Sequence, residues 1–166
     1  MNEVIVNSKM KLSEHFALGE LCKTSHKTAD GNIPSHVVIE NLKRLCPWLE
    51  ELRYSYNTLY CLTPGEDYDE SKNVEPIIIN SGYRSPAVNK LAGGAANSNH
   101  LTGCAVDIRC AGKEQMIRYA SILLDIADGT KQDYDELLFE QHGSVCWLHF
   151  AVRPKDNRRR IEFLKA

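Results

Sequence analysis

The chain has 166 residues, of which 43% are hydrophobic, and its formal net charge is −2 at pH 7. A chain of this size can bury one ordinary core, so we expect a single domain spanning residues 1–166, present as a monomer. The near-neutral charge argues against a nucleic-acid partner, which requires a concentrated basic surface. The one basic run, Arg158 to Arg160, is therefore interpreted as a solvated carboxyl-terminal edge.

The sequence predicts neither a targeting signal nor a cysteine-based metal site. Residues 1–11 contain no apolar stretch of about 7 to 15 residues, the length that a signal peptide requires, and no segment approaches transmembrane length. We therefore expect cytoplasmic synthesis and no integral membrane segment. The six cysteines include no CxxC pair, so we predict reduced and mostly buried thiols rather than a zinc site of the finger type.

The amino-terminal part, residues 1–60, is predicted to be mainly helical. Ser13 is expected to cap a first short helix. Apolar residues then recur at helical spacing from about residue 35 to residue 56, which predicts a long amphipathic helix bent at Pro47. Residues 61–75 are acidic and rich in turn formers, and they are predicted to form a surface loop.

The remaining residues, 76–166, are predicted to contain a sheet and two further helices. One helix is expected over residues 86–91, and a second over 113–127 with Gly129 well placed to end it. Apolar runs predict strands at 77–80, 104–109, 137–140, 145–152 and 161–164. The fold class is therefore α+β, with a small antiparallel sheet and flanking helices.

Three residues in this part are of the types that a catalytic zinc takes as ligands. His100 falls in a glycine-containing turn, whereas Asp107 and His149 lie in strand-like apolar runs. An ionised carboxylate among aliphatic side chains is costly unless it is paired or metal-bound. A catalytic zinc takes three protein ligands and keeps one position open, so these residues predict a metal site. The alternative for His149 alone is a hydrogen-bonded core histidine.

Further motifs surround these candidates. The chain reads Ser-Gly-Tyr-Arg-Ser at residues 81–85, then Asn89, Gly93-Gly94 and Ser98-Asn99-His100, followed by Gly-Cys-Ala-Val-Asp-Ile at 103–108 and Trp-Leu-His at 147–149. This pattern closely resembles the M15 family of zinc D-Ala-D-Ala carboxypeptidases and related peptidoglycan peptidases. The resemblance extends over residues 77–152.

The resemblance implies a zinc peptidase domain with a fold shared with the hedgehog signalling domain, hence a hedgehog/DD-peptidase-like fold. It implies Zn²⁺ held by His100, Asp107 and His149, and a peptidoglycan stem peptide as the substrate. Whether the enzyme is a carboxypeptidase or an endopeptidase stays open. Because such a substrate lies outside the cytoplasm, a phage-type lysin released to the cell wall would reconcile it with the missing signal peptide.

The family pattern also implies residues that bind the substrate. Arg84 follows a predicted strand, and its planar guanidinium suits a carboxylate. By resemblance, Arg84 and Ser98 engage the substrate, although Ser98 also suits the cap of the turn before His100. Gly93 and Gly94 are interpreted as positions of backbone freedom near the metal.

The general base is where the chain departs from part of this family. Several branches carry a glutamate three residues before the final histidine, where this chain has Cys146, and a neutral thiol cannot replace a carboxylate. Another branch carries a glutamate on the preceding strand, in a context like Glu140. A two-residue turn at 143–144 places Glu140 on the face of His149, whereas a three-residue turn reverses its face. Glu140 is the predicted base and Glu136 the reserve, the alternative for either being a solvent-facing carboxylate.

Two other functions compete with catalysis. One is a non-catalytic, hedgehog-like zinc module that binds cell-wall fragments or a protein partner, and the missing glutamate at position 146 favours it. The other is a phage structural component that uses the domain on the wall. A carboxylate beside the metal-bound water distinguishes the enzyme from these alternatives, because catalysis requires such a base and binding does not.

Overall fold

The computed structural model describes residues 8–72 and 74–165 and shows an α+β fold, as predicted. The helices are α1 (Leu18–Leu21), α2 (His36–Tyr56), α3 (Pro86–Leu91) and α4 (Lys113–Thr130), with a π-helical turn at Asn57–Cys61 and a 3₁₀ turn at Asn99–Thr102. The strands are β1 (Ile79–Ser81), β2 (Ala105–Cys110), β3 (Glu136–His142), β4 (Val145–Ala151) and β5 (Arg160–Lys165).

Two sequence predictions touch residues outside this description. The described residues do not include residues 1–7, where no signal peptide was predicted, or Asn73 in the acidic loop. Within the described residues, none of the helices combines the length and the apolar composition that crossing a membrane requires.

The sheet has five strands in the order β1-β2-β4-β3-β5. The first four are antiparallel neighbours, but β5 pairs with β3 in parallel. The prediction of a purely antiparallel sheet was therefore wrong for β5. The physical reason is that residues 152–159 carry the chain from the end of β4 past the start of β3, so that Arg160 lies beside Glu136 on the far side of β3.

The two faces of the sheet have different surroundings. The helix-covered face carries fully buried apolar side chains that join the core, among them Val106, Ile108, Leu137, Leu148 and Phe150. Because side chains alternate along a strand, the intervening residues of β2, β3 and β4 project from the other face. All the polar residues of interest in these strands lie on that second face.

The long helix forms as predicted. The Ser35 side chain caps α2 by accepting a hydrogen bond from the Val38 backbone N–H at 3.3 Å, and Pro47 lies within the helix. Apolar side chains on one face of α2 are buried against the sheet and α4, including Leu42, Leu45 and Leu49. This face supplies much of the core beneath the sheet.

Two helix ends differ from the prediction. The cap of α1 is Ala17, because Ser13 instead donates its hydroxyl to Glu50 of α2. Helix α4 continues through Gly129 and ends at Lys131, which adopts a left-handed conformation with φ +56°. This conformation is uncommon for a residue other than glycine but accessible to it, so a glycine in the last turn was not a sufficient stop signal.

Beyond Cys61, which ends the π-helical turn, the described residues of the acidic segment form a loop without helix or strand, as predicted, and this loop is attached to α2. Arg53 and Glu70 form an ion pair at 2.6 Å, and the ring of Tyr68 packs edge-on against Tyr54 with centroids 5.0 Å apart. His15 lies 3.0 Å from Glu70 on the same side. The loop is therefore held against the helix by charge and ring contacts rather than left free in solvent.

Candidate metal centre

Two strands and a turn bring the three predicted ligands together. Asp107 on β2 lies directly opposite His149 on β4, and His100 lies in the 3₁₀ turn Asn99–Thr102. His100 Nε2 is 3.2 Å and His149 Nδ1 is 3.0 Å from the same oxygen, Asp107 Oδ1. One ligand atom from each residue lies within 4.8 Å of the others, and all three residues are buried. The convergence that the sequence predicted is present.

Hydrogen bonds on the outer side of each imidazole determine which nitrogen faces the centre. His100 Nδ1 lies 2.6 Å from the carbonyl oxygen of Gly82, so it carries the proton and donates to that carbonyl. His149 Nε2 lies 3.1 Å from Glu136 Oε2 and donates to it in the same way. A metal ion that takes the place of the proton between His149 Nδ1 and Asp107 would meet the lone pairs of His100 Nε2 and His149 Nδ1. This donor set of two imidazoles and one carboxylate fits a zinc ion with an open position.

The charges at the centre are matched to a cation. Burial alone would lower the pKa of His149, but hydrogen bonds to Asp107 and Glu136 raise it to about 9. Burial opposes ionisation of Asp107, yet the adjacent imidazoles hold its pKa below the ordinary value. The two carboxylates that stabilise protonated His149 also stabilise a metal ion that replaces its Nδ1 proton.

The second oxygen of Asp107 is bound by Arg84. Arg84 Nη2 donates to Asp107 Oδ2 at 2.7 Å, while its Nε donates to Ser81 Oγ at 2.8 Å. This contact was not foreseen, because the sequence showed no basic residue that had to lie near Asp107. The pairing of β1 with β2, in which Ser81 lies opposite Asp107, is what brings Arg84 there. Arg84 is thus both a residue of the cleft and a support of a ligand.

Glu136, the reserve base of the sequence analysis, is a hydrogen-bond hub. Its Oε2 accepts from His149 Nε2 and from Asn99 Nδ2 at 2.9 Å, and its Oε1 accepts from Arg158 at 2.9 Å and Arg160 at 3.0 Å. The hydrogen bond from His149 is the main reason that the pKa of Glu136 falls to about 2. Both carboxylate oxygens are therefore occupied by donors.

Glu140, the predicted base, lies on the metal-facing side of the sheet. The hairpin has a two-residue turn, with His142 opposite Val145 and Glu140 opposite Trp147. Glu140 consequently shares a face with His149, as the register argument predicted. Burial, followed by the charge of Asp107, raises the pKa of Glu140 above its ordinary value.

The side chain of Cys146 points away from the metal centre, towards the core. It lies three residues before His149 and therefore on the other face of β4, where it is only 4% exposed and belongs to the core. The thiol at this position cannot reach the metal centre. Its presence therefore has no bearing on whether the cleft contains a base.

A cleft of about 710 Å³ lies over the ligands. Its walls include Arg84, Ser98, Glu140 and Trp147 in addition to the ligand residues. A separate apolar cavity of about 430 Å³, between α2 and α4, is lined by Pro47 and its neighbours and holds none of these polar residues. The candidate metal ligands, base and substrate-binding residues therefore all line the cleft over the metal site.

The loop before the 3₁₀ turn agrees with the backbone freedom predicted for Gly93 and Gly94. It also agrees with the prediction that Ser98 caps the turn. Gly93 has φ +69°, a left-handed conformation that favours glycine, and a Cβ on Gly94 would lie 2.1 Å from Asn89 Oδ1. The Ser98 side chain accepts a hydrogen bond from the His100 backbone N–H at 3.3 Å, so it caps the turn. Ser98 also lines the cleft, and its contact with a substrate stays a prediction.

Comparison with known proteins identifies the family. The model of the Peptidase M15 family matches residues 14–132, which is most of the chain and includes Arg84, Ser98, His100 and Asp107. The matched span ends before β3, so it does not include Glu140 and His149, which the fold brings to the same site. No curated protein matches the chain.

M15 peptidases are metallopeptidases, and the buried group of His100, Asp107 and His149 is able to bind their metal ion. The five-stranded mixed sheet and four helices are consistent with the hedgehog/DD-peptidase-like fold of these enzymes. The extent of the match, the fold and the metal-ligand geometry agree, and the chain belongs to the M15 peptidase family.

Proposed function

We propose that the protein is a zinc-dependent peptidase that hydrolyses a peptide bond in peptidoglycan stem peptides. The observation that carries the proposal is the convergence of His100 Nε2, His149 Nδ1 and Asp107 Oδ1 beneath an open cleft. When it is bound there, zinc supplies Lewis acidity for the scissile carbonyl and for a water molecule. His100, Asp107 and His149 would hold the ion, in agreement with the three protein ligands of a catalytic zinc site.

Glu140 is the general base of this proposal. Its side chain faces the cleft on the same side of the sheet as His149, and a carboxylate with a raised pKa can take a proton and return it to the leaving amine. Glu136 is less suited to this task because four side chains donate hydrogen bonds to its two oxygens. A base must have a free oxygen directed at the water molecule.

Arg84 and Ser98 are the proposed substrate contacts. Two nitrogens of Arg84 are engaged by Asp107 and Ser81, whereas Nη1 has no partner within residues 8–72 and 74–165. A guanidinium held in this way presents its remaining N–H groups to the cleft, where they can bind a substrate carboxylate. Ser98 lies beside the ligand His100 and can donate its hydroxyl to a neighbouring carbonyl oxygen.

The direct test is digestion of purified peptidoglycan by the zinc-loaded protein, followed by mass analysis of the fragments. We expect stem peptides shortened at one bond, and the masses distinguish loss of a terminal D-Ala from cleavage at an internal bond. His149→Ala serves as the control because it removes a ligand. If the protein binds wall fragments and cuts none of several stem-peptide types, the alternative of a non-catalytic binding module replaces the enzyme.

The cellular setting is part of the proposal. The substrate lies in the cell wall, so we infer that the protein acts there as a monomeric phage-type lysin that is released after cytoplasmic synthesis. The presence of Glu140 in the cleft supports an enzyme over a binding module or a structural component. Light scattering at micromolar concentration tests the monomer, and a dimer would contradict it.

A further inference from the structure

The three successive arginines before and at the start of β5 point in different directions. Arg158 and Arg160 line the metal cleft. Arg159, which adopts φ +51°, instead pairs with Asp128 and Asp133 and lies over the ring of Tyr134. The interpretation of this run as a solvated edge is therefore incomplete for Arg158 and Arg160, whose exposed side chains also pair with Glu136. These two guanidinium groups belong to the environment of the metal site.

Both arginines meet at Glu136. Arg158 Nη2 lies 2.9 Å and Arg160 Nη1 lies 3.0 Å from Glu136 Oε1. Register places Arg160 directly opposite Glu136 across the parallel pair β3–β5. Glu136 is only 8% exposed, and a buried carboxylate is stable only when charged or polar donors surround it. The two guanidinium groups satisfy one of its oxygens completely.

The other oxygen of Glu136 is then directed at the metal site. Glu136 Oε2 accepts from His149 Nε2 at 3.1 Å and from Asn99 Nδ2 at 2.9 Å. Asn99 begins the 3₁₀ turn that carries His100. One carboxylate oxygen therefore joins the strand of one histidine ligand to the turn of the other. A shift of Glu136 would disturb both ligands.

We propose that Glu136 is a positioning residue for the metal centre and that Arg158 and Arg160 act on the metal through it. The inference rests on the metal site of the proposed function. When the metal is bound, His149 is neutral, and Glu136 then holds its single proton on Nε2, so that the lone pair of Nδ1 is directed at the metal. The two arginines hold Glu136 in the orientation that this requires.

The physical reason for an effect on affinity has two parts. A neutral imidazole has one N–H, and only the form protonated at Nε2 can bind a metal through Nδ1. A carboxylate acceptor also raises the basicity of the imidazole, and loss of such a partner typically weakens metal binding by about 10- to 100-fold.

The test measures the zinc dissociation constant by competition with a chelating dye, so that it does not depend on peptidase activity. Glu136→Gln should weaken binding by about 10- to 100-fold. The glutamine amide must turn its NH₂ group either towards the two arginines or towards His149. In both orientations this donor faces another hydrogen-bond donor. The double variant Arg158→Met with Arg160→Met should weaken binding several-fold, because Glu136 loses its anchors.

Arg159→Met is the matched control, since it removes the neighbouring guanidinium from the same segment and faces away from the cleft. We expect its zinc affinity to equal that of the parent. A further readout is the Nε2 proton of His149 in the NMR spectrum of the zinc-loaded protein. This proton should be visible and slowly exchanging in the parent and in Arg159→Met, and broadened or lost in the other two variants.

The outcomes separate this inference from the proposed function. If both cleft-facing variants bind zinc as tightly as the parent and keep the Nε2 proton, Glu136 has no positioning role, while the peptidase proposal stands. Equal weakening in Arg159→Met would show a general effect of the strand and would also overturn the inference. A variant that fails to fold is replaced by Arg160→Lys, which keeps the charge and loses one arm of the fork. A parent that binds no zinc contradicts both proposals.

Discussion

Asp107 divides its two oxygens between different tasks. Oδ1 faces the two imidazoles, and Oδ2 is bound by Arg84. A carboxylate whose second oxygen is tied to a guanidinium is fixed in rotation and stays ionised. Substitution of any ligand therefore removes a donor that is already in place, and the remaining two cannot complete the site.

Zinc content should depend on each ligand. We expect about one zinc per chain in the parent and a sharp loss in His100→Ala, Asp107→Ala and His149→Ala, because each variant lacks one of the three donors. Metal analysis after dialysis provides the measurement. His36→Ala, an exposed histidine at the start of α2, is the control and should retain the metal. Full occupancy in all three ligand variants would refute the site.

Arg84→Lys should reduce kcat/KM several-fold or more on a substrate with a free carboxylate, because lysine keeps the charge and loses the fork. Arg84 also supports Asp107, so the rates are compared at saturating zinc and the zinc affinity is measured separately. On a substrate whose carboxylate is blocked as an amide, the parent should be slowed and the substitution should add little. Equal losses on both substrates would make Arg84 a support of the metal ligand alone.

Glu140→Gln should keep the zinc and the substrate affinity while it loses about 10²-fold or more of kcat, the usual scale for a positioned base. An amide has the shape of the carboxylate but cannot take the proton. Cys146→Ala is the companion variant and should cleave at the parental rate, since this thiol lies in the core. A Glu140→Gln variant with full activity would direct the search for the base to other residues of the cleft.

At the level of the elements, local pattern was sufficient where local physics decides the outcome. The helical spacing of apolar residues predicted α2, and the two-residue turn at 143–144 predicted the face of Glu140. Asp107 was recognisable because a charged residue in an apolar strand is rare without a partner. His100 and His149 were identified by their residue type and by the family motif.

The remainder depended on contacts between distant segments. The sequence near β5 does not specify that this strand pairs in parallel with β3. The sequence near Ser13 does not indicate that its hydroxyl donates a hydrogen bond to Glu50. The contact of Arg84 with Asp107 and that of Arg160 with Glu136 arise from strand order. Periodicity reports which face a side chain occupies, but not which strand lies beside it.

Asp135, at the entry to β3, should be a strong contributor to stability. It is fully buried and accepts hydrogen bonds from Arg158 Nε at 2.9 Å and Asn99 Nδ2 at 2.8 Å, with Arg153 at 3.0 Å. Asp135→Asn leaves these donors without a charged acceptor and should lower the free energy of unfolding by about 2 kcal/mol. Urea unfolding at pH 7 is the measurement.

The pH dependence of this contribution has a definite sign. Burial raises the pKa of Asp135, but the hydrogen bonds of Arg158 and Asn99 outweigh it and lower the pKa below its ordinary value. The stabilisation is therefore complete above the unfolded pKa of about 4 and is lost as the pH falls through the folded pKa. The difference between the parent and Asp135→Asn should shrink below about pH 4. A constant difference would contradict the assignment.

For the whole molecule, the metal centre joins segments that are distant in the chain. His100 and Asp107 are 7 residues apart, whereas Asp107 and His149 are 42 residues apart and are separated by α4 and β3. The centre is therefore complete only when β4 has paired with β2. Until then, a metal ion can find no more than two of its protein ligands in place.

This spacing has a consequence for the rates at which the chain folds and unfolds. A metal ion that binds only after β4 has paired with β2 stabilises the native state more than a transition state in which this pairing is incomplete. We therefore expect saturating zinc to slow unfolding by a much larger factor than it speeds refolding, as measured by stopped-flow fluorescence with zinc or with a chelator. A larger effect on refolding than on unfolding would place the closure of the 42-residue segment before the barrier and contradict this expectation. If zinc slows unfolding in this way, release of the ion determines the lifetime of the folded protein.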